Sequence, residues 1–271
     1  MSKAAPGPLE LKHGLHIPIV QEEHPNAVFL DLPAGRGELP LPPEALLQYA
    51  HAGETPQSHA KAGEKDFEEI CRILLLHQPN FFSERRQVLD FGCGNGRIIR
   101  HWTAQPNCQV IGCDVNAERI YWCATHLTPP FRFFVSTFVP HLPLRDNSQD
   151  LVYAFSVFTH IDDLHISWLY ELRRVVSDSG LVLITICDEN TVEILKEQPN
   201  RYAAKMLLSH PNWPVWSESW SFMALARGQN SQVFMTKKYL EHIVAGQFEV
   251  IGWHEGTMAG VQTLAVLKPV V

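Results

Sequence analysis

The sequence predicts an α/β fold: a mostly parallel seven-stranded sheet with helices on both faces and a C-terminal antiparallel hairpin. Three observations predict it. First, "QVLDF", "QVIGC", "FRFFV", "LVYAF" and "LVLITI" are short, β-rich and nearly continuous in apolar character, as strands buried on both faces should be. Second, helical segments lie between these runs, at 97–104, 117–126 and about 163–176; the last carries Leu164, Trp168, Leu172 and Val176 on one stripe. A helix joining consecutive strands makes those strands parallel. Third, the tail reads differently. "TKKYLEHIVAG" is a helix ending at Gly246, and "FEVIGWHE" and "VQTLAVLK" are strands joined by "GTMAG", a connection suited to a hairpin.

The remaining segments set the organisation. Residues 1–63 read as an arm and cap, dense in proline near the start, with a short helix beginning at Pro43, where a missing N–H costs nothing. Residues 64–271 form the main domain. It opens on the helix "GEKDFEEICRILLLH", in which Asp66 is expected to cap and Glu69 to reciprocate, with Phe67, Ile70, Cys71, Leu74 and Leu75 on its apolar face. Within the domain, residues 188–233 fit neither pattern and read as an inserted lid or acceptor region. Its Trp213, Trp216 and Trp220 are either the underside of that lid or a platform for a ring-shaped ligand.

Composition narrows the partners. Against 22 Lys+Arg stand 29 Asp+Glu, a net charge of -7, so there is no basic excess to drive nucleic-acid binding. No apolar stretch is long enough for a spanning helix. "MSKAAPGPLELKHG" lacks the apolar core of a secretory signal, so a cytoplasmic protein without membrane attachment is expected. The six cysteines (71, 93, 108, 113, 123 and 187) show no paired ligand spacing and read as free thiols; no metal site is expected. A homodimer is left open.

The most informative stretch is "VLDFGCGNGRII", where Gly92, Gly94 and Gly96 follow a strand and precede a predicted helix, the context of a ligand cradle. A dinucleotide fingerprint would place glycine where Arg97 stands. Asp90, at the strand end, would oppose two phosphate charges at high Coulombic cost. A carboxylate there suits a ligand carrying an ammonium group. Asp114, in "GCDVN" at the end of the second strand, can accept from two ribose hydroxyls at once. The plainer alternative is that Asp90 and Asp114 only cap the helices that follow.

Taken in order, "VLDFGCGNGR", "GCDVN", "LPLRDNSQDLVYAFSVFTHI" and "LYELRRVVSDSGLVLIT" resemble the successive motifs of class I S-adenosyl-L-methionine (SAM)-dependent methyltransferases, over about residues 64–187. The fold implied is Rossmann-like and the implied cofactor is SAM. The resemblance assigns its binding to Asp90, Gly92, Cys93, Gly94, Asn95, Gly96, Asp114, Val115, Asn116, Thr137, Phe138 and Ser156. Phe138 stands where the family usually has an acid for the adenine amino group. It either stacks on adenine or packs in the core, and Thr137 or Ser136 is the alternative hydrogen-bonding partner.

"SVFTHI" and "DFEEICR" are similar to bacterial enzymes that modify sugars or tailor small molecules, which implies a saccharide or small-molecule acceptor methylated at a hydroxyl. His160, a few residues past the fourth strand, is the candidate base, histidine being the side-chain type most often used for that task at neutral pH. The competing role is to hydrogen-bond backbone and orient its loop. His141, His254 and His59 are weaker candidates, and Asp162 and Asp163 are expected to cap the next helix. Three rival functions stay open: N-methylation of a small molecule, a nicotinamide-dependent oxidoreductase, and a non-catalytic SAM-binding protein.

Overall fold

The computed structural model describes residues 39–47, 55–226 and 231–271. Most of the expected N-terminal arm therefore lies outside the described residues. The chain divides into two compact units, one ending at Arg145 and one beginning at Asp146. Its principal sheet has seven strands in the order β3-β2-β1-β4-β5-β9-β8, with β1 at Arg86–Phe91, β2 at Cys108–Asp114, β3 at Arg132–Val135, β4 at Gln149–Ala154, β5 at Val176–Ile186, β8 at Phe248–Met258 and β9 at Gln262–Pro269. All seven match strand-like runs in the sequence.

In the first unit, the described segment 39–47 contains a 3-10 turn at Glu44–Leu46, with Pro43 at its N-cap as the sequence suggested. Helix α1 spans Pro56–His77, crossing position 63. It starts earlier than expected and is not capped by Asp66. Thr55 accepts from the Ser58 amide at 3.1 Å, and Ser58 Oγ accepts from the Thr55 amide at 2.9 Å, a reciprocal cap reinforced by proline at the first position. Asp66 sits mid-helix and buried, beside a core face of Phe67, Ile70, Ile73 and Leu74; Leu75, expected there, is exposed.

β1 and β2 then pair in parallel with Asp90 opposite Gly112, and β3 continues the parallel order beside β2. Between β2 and β3, α2 at Ala117–His126 matches the reading, and Asn116 caps it by accepting from the Arg119 amide at 3.0 Å. The helix expected at 97–104 is instead a run of turns followed by a 3-10 segment, Ile99–Ala104. The left-handed φ of +81° at Gly96 interrupts α-helical geometry just where that helix would begin.

In the second unit, β4 and β5 are parallel, whereas β9 lies antiparallel to both β5 and β8. Helix α3, His165–Val175, joins β4 to β5. Its N-cap is Leu164 at φ +61°, with no side-chain cap. The expected caps are absent from that end because Asp162 Oδ1 is turned to the Asp163 amide, 2.8 Å away.

The segment read as an insertion folds into α4 (Glu189–Glu197), α5 (Tyr202–Leu208), α6 (Trp213–Trp216) and a small antiparallel pair, β6 (Phe222–Ala224) with β7 (Val233–Met235). Trp213, Trp216 and Trp220 pack against a buried cluster including Leu195, Leu207, Met223 and Phe234. Helix α7, Lys237–Val244, follows, and Gly246 at φ +79° closes it as expected. The final turn is tighter than "GTMAG". β8 runs on through Met258, and Ala259 and Gly260 turn the chain with φ of +51° and +66°, the left-handed pair that a right-twisted hairpin favours.

Candidate functional site

The glycine loop leaves β1 at a buried carboxylate, Asp90, which is 3% exposed. Its next three amides all turn toward the end of β2: Gly92 N–H and Cys93 N–H donate to the Cys113 carbonyl at 2.8 and 2.9 Å, and Gly94 N–H donates to Asp114 Oδ2 at 2.9 Å. Gly96 N–H donates back to the Cys93 carbonyl at 3.0 Å. Left-handed φ values at Gly92, Gly94 and Gly96, from +56° to +81°, make this folding-back possible.

This donation pattern decides between ligands. A phosphate cradle needs a row of backbone N–H groups aimed at the ligand and an α-helix N-terminus behind them. Here four of the loop's amides are spent on protein acceptors, and the segment behind is a 3-10 turn. A buried carboxylate completes an environment that favours a cationic group over an anion.

Asp114 is not the cap of α2; Asn116 is. The Asp114 carboxylate instead holds the loop with one oxygen and accepts from Asn116 N–H at 2.8 Å with the other. A carboxylate has about four lone-pair directions, so both oxygens retain capacity for a pair of hydroxyls. On Gly94 an added Cβ would meet only Arg119 Nη1, at 3.7 Å, so that face of the loop is open. Val115, beyond Asp114, is 45% exposed, and Phe138, beyond β3, is 76% exposed. Exposure removes the core-packing role considered for Phe138. Thr137, also exposed, donates its hydroxyl to the Val139 carbonyl at 3.0 Å, and Ser136 is buried.

Two cofactor candidates have other surroundings. Cys93 is buried, and burial first, then Cys123 and the charges of Asp90 and Asp114, push its thiol well up, so it serves as a small protonated apolar side chain. Asn95 is 4% exposed and spends both ends of its amide on upstream segments. Its Oδ1 accepts from His59 Nε2 at 2.6 Å, and its Nδ2 reaches the Leu46 carbonyl at 3.3 Å.

Neighbouring contacts repeat the theme. Arg97 pairs with Asp66, His101 Nε2 donates to the Ala60 carbonyl at 3.0 Å, and Arg100 Nη2 donates to the carbonyls of Leu39 and Pro40 at 2.8 and 2.5 Å. At Gly63 an added Cβ would lie 2.0 Å from the Arg97 carbonyl oxygen. The segments before the sheet therefore clamp the loop from behind. Sequence reading missed this clamp, although the opposite charges of Asp66 and Arg97 hinted at it.

The remaining candidates belong to the second unit. Ser156, just past β4, has φ +57°. His160 is exposed, and its Nδ1 lies 2.7 Å from the Ser231 carbonyl, so Nδ1 carries the proton and donates. That tautomer leaves the Nε2 lone pair available. The backbone adds a second tie, Val233 N–H to the Thr159 carbonyl at 2.8 Å. Both roles considered for His160, orienting its loop and accepting a proton, are compatible with one geometry. His254 lies on β8, and His141 is exposed beyond β3.

Residues 89–184 match the family model described as a methyltransferase domain. Over that stretch, about a third of the chain, the sequence is similar to methyltransferase domains. It is 31% identical over 100 residues to the sterol 24-C-methyltransferase of Schizosaccharomyces pombe, covering 35% of this chain and 26% of that one. It is 32% identical over 118 residues to the malonyl-[acyl-carrier protein] O-methyltransferase of Erwinia billingiae, covering 42% and 45%. The matches thus span about a quarter to a half of these curated relatives.

Among solved structures, a SAM-dependent methyltransferase from Aquifex aeolicus aligns at TM-score 0.54 and 14% identity, over 85% of this chain and 100% of that one. The Burkholderia thailandensis 1,6-didemethyltoxoflavin-N1-methyltransferase, solved with its substrate and S-adenosylhomocysteine, aligns at 0.54 and 14%, over 90% and 95%. These two share the fold of this chain.

Proposed function

We propose that this methyltransferase domain uses SAM to methylate a hydroxyl of a small-molecule acceptor. When bound, SAM supplies a methyl group activated by its sulfonium sulfur. The single observation carrying the reading is the glycine loop's donation pattern, with its amides turned to Cys113 and Asp114 and Asp90 buried at its root. Asp90 answers the ammonium group, Asp114 and Asn116 the ribose, and Val115, Thr137 and Phe138 the adenine. Gly92, Cys93, Gly94 and Gly96 give the loop its shape, and Ser156 belongs to the same set. Asn95 acts one step back, through the clamp formed with His59 and Leu46.

His160 is the proposed base. Donation from Nδ1 to the Ser231 carbonyl fixes the tautomer and leaves Nε2 to take the acceptor's proton. Alignment of acceptor and methyl carries the larger part of such a displacement, and the base adds a factor of about 10²–10⁴. The narrower form of the proposal, a saccharide or tailored small molecule, rests on the resemblance of "SVFTHI". The names of the relatives include carbon, oxygen and nitrogen methylation.

Calorimetry on the full chain tests the first step. SAM and S-adenosylhomocysteine should bind while NAD does not; binding of NAD alone would transfer the chain to the oxidoreductase reading. A screen of acceptors with methyl-labelled SAM tests the second, since binding without transfer to any acceptor class would favour a non-catalytic SAM-binding protein.

A further inference from the structure

We infer that Thr185 on β5 and Gln262 on β9 are positioning residues, joined to Ser156 in a closed hydrogen-bond circuit that sets the conformation and proton direction of that residue. The inference rests on the proposed SAM reading for what Ser156 does, but the circuit itself lies wholly within the second unit. Ser156 N–H donates to Thr185 Oγ1 at 2.7 Å. Thr185 Oγ1–H donates to Gln262 Oε1 at 2.7 Å. Gln262 Nε2–H donates to Ser156 Oγ at 2.8 Å, closing the ring.

The circuit meets a specific need. Ser156 has φ +57°, a region where a residue with a Cβ is strained and persists only if its surroundings impose it. In the glycine loop the same backbone region is occupied by glycine at no steric cost. Here a serine is retained, and its hydroxyl is placed at the carboxyl end of β4, where ligands of parallel sheets bind. Because Ser156 Oγ accepts from Gln262, its own proton is turned away from that amide nitrogen. The neighbours within reach are Gln262 Oε1 at 3.1 Å and Met258 Sδ at 3.1 Å. Gln262 Oε1 accepts from Thr185 with one lone pair and has a second in reach of the Ser156 hydroxyl, whereas a thioether is a weak acceptor. The Ser156 hydroxyl therefore donates to Gln262 Oε1 while accepting from Gln262 Nε2, and the circuit fixes its orientation at the end of β4.

The loop that Ser156 opens, 156–160, is held again at its far end, where His160 meets Ser231 and the Thr159 carbonyl accepts from Val233. Thr185 is fully buried, and Gln262 sits at the start of the last strand. Thr185 is the last residue of one of the motifs that carry the family resemblance, and Gln262 lies outside all of them.

The test uses the full chain and S-adenosylhomocysteine as probe. Thr185→Val, nearly isosteric, and Gln262→Leu should each weaken S-adenosylhomocysteine binding about tenfold with the thermal midpoint little changed, and Thr185→Ser should restore it. In a Ser156→Gly background, where φ +57° needs no support, adding Gln262→Leu should cost less than about twofold; a double-mutant cycle reads that coupling directly. Wild-type affinity in both single variants, or an undiminished loss in the glycine background, would overturn the inference. If the parent chain binds no S-adenosylhomocysteine, the SAM reading fails on its own. Amide hydrogen exchange at Ser156 in the ligand-free chain then still decides the circuit: it should accelerate in Thr185→Val, and unchanged exchange sinks the idea.

Discussion

Two loops leave the carboxyl ends of parallel strands in this chain, and they solve one backbone problem in different ways. The loop after β1 reaches left-handed φ at Gly92, Gly94 and Gly96. The loop after β4 reaches it at Ser156, with Leu164 doing the same just before α3. Glycine needs no help, so the first loop's side chains are free to be small while its amides fold back on β2. Serine needs help, so the second loop depends on Thr185 and Gln262 from two other strands. A conformation written into residue type is visible in sequence; one imposed by distant partners is not.

The contrast extends to support. The first loop is clamped by upstream segments through His59, Asp66 and Gly63. The second is tied to β7 and to the residue beside it, through Val233 and Ser231. In each case the chemistry-bearing loop is shaped by an element that carries no chemistry of its own.

The sharpest way to break the comparison is at His160. With a base in the second loop, His160→Ala should lower turnover with a hydroxyl acceptor by about 10²–10⁴ and leave S-adenosylhomocysteine affinity nearly unchanged. Full turnover would reduce His160 to a loop anchor and leave catalysis to alignment. Next in size is Asp114→Ala. Removing the acceptor of the ribose hydroxyls and of Gly94 N–H should weaken S-adenosylhomocysteine binding by about 2–3 kcal/mol, read by calorimetry, and unchanged affinity would remove its ribose role.

The clamp is tested by Gly63→Ala. Its Cβ would fall 2.0 Å from a backbone carbonyl, so α1 must shift, costing about 1–3 kcal/mol as overpacked sites do; a thermal midpoint equal to the parent's would show that the helix moves freely.

The smallest effect is acid sensitivity, shared by both units. Burial, the largest influence in each case, pushes His101 and His165 below the ordinary histidine value of 6.5. His165 donates from Nδ1 to the Asp162 carbonyl and accepts at Nε2 from the Tyr239 hydroxyl, 2.9 Å away, so protonation would reverse the Tyr239 bond. In the unfolded chain these rings take up protons more readily than in the fold. Stability is therefore complete above about pH 6.5 and declines as pH falls through that value toward the lowered ones. His165→Gln should flatten a melting series between about pH 6.5 and about pH 5.5. An unaltered slope would place the acid sensitivity elsewhere.

Much of this was legible residue by residue. Continuous apolar runs announced the strands because both faces are buried, and Asp90, the glycines and Asp114 marked out a sharply turned acidic loop because glycine and carboxylate are chemically distinctive. Helix boundaries were less legible. Thr55 and Ser58 cap α1 through a pairing that a search for Glu or Gln at the third position overlooks, and the expected helix at 97–104 failed at Gly96. The polar circuit of Ser156, Thr185 and Gln262 and the clamp of Asn95 by His59 had no sequence signal. Their members are 29 to 106 residues apart and of common types.

The order of elements, the seven strands and the acidic glycine loop were thus determined by the amino-acid sequence itself, because periodicity and residue chemistry act over a few neighbours. Which amides the loop spends, which nitrogen of His160 keeps its proton and which strand steadies Ser156 were decided only by tertiary structure. A hydrogen bond depends on separation and direction in space, and chain order leaves both undefined until the sheet has formed.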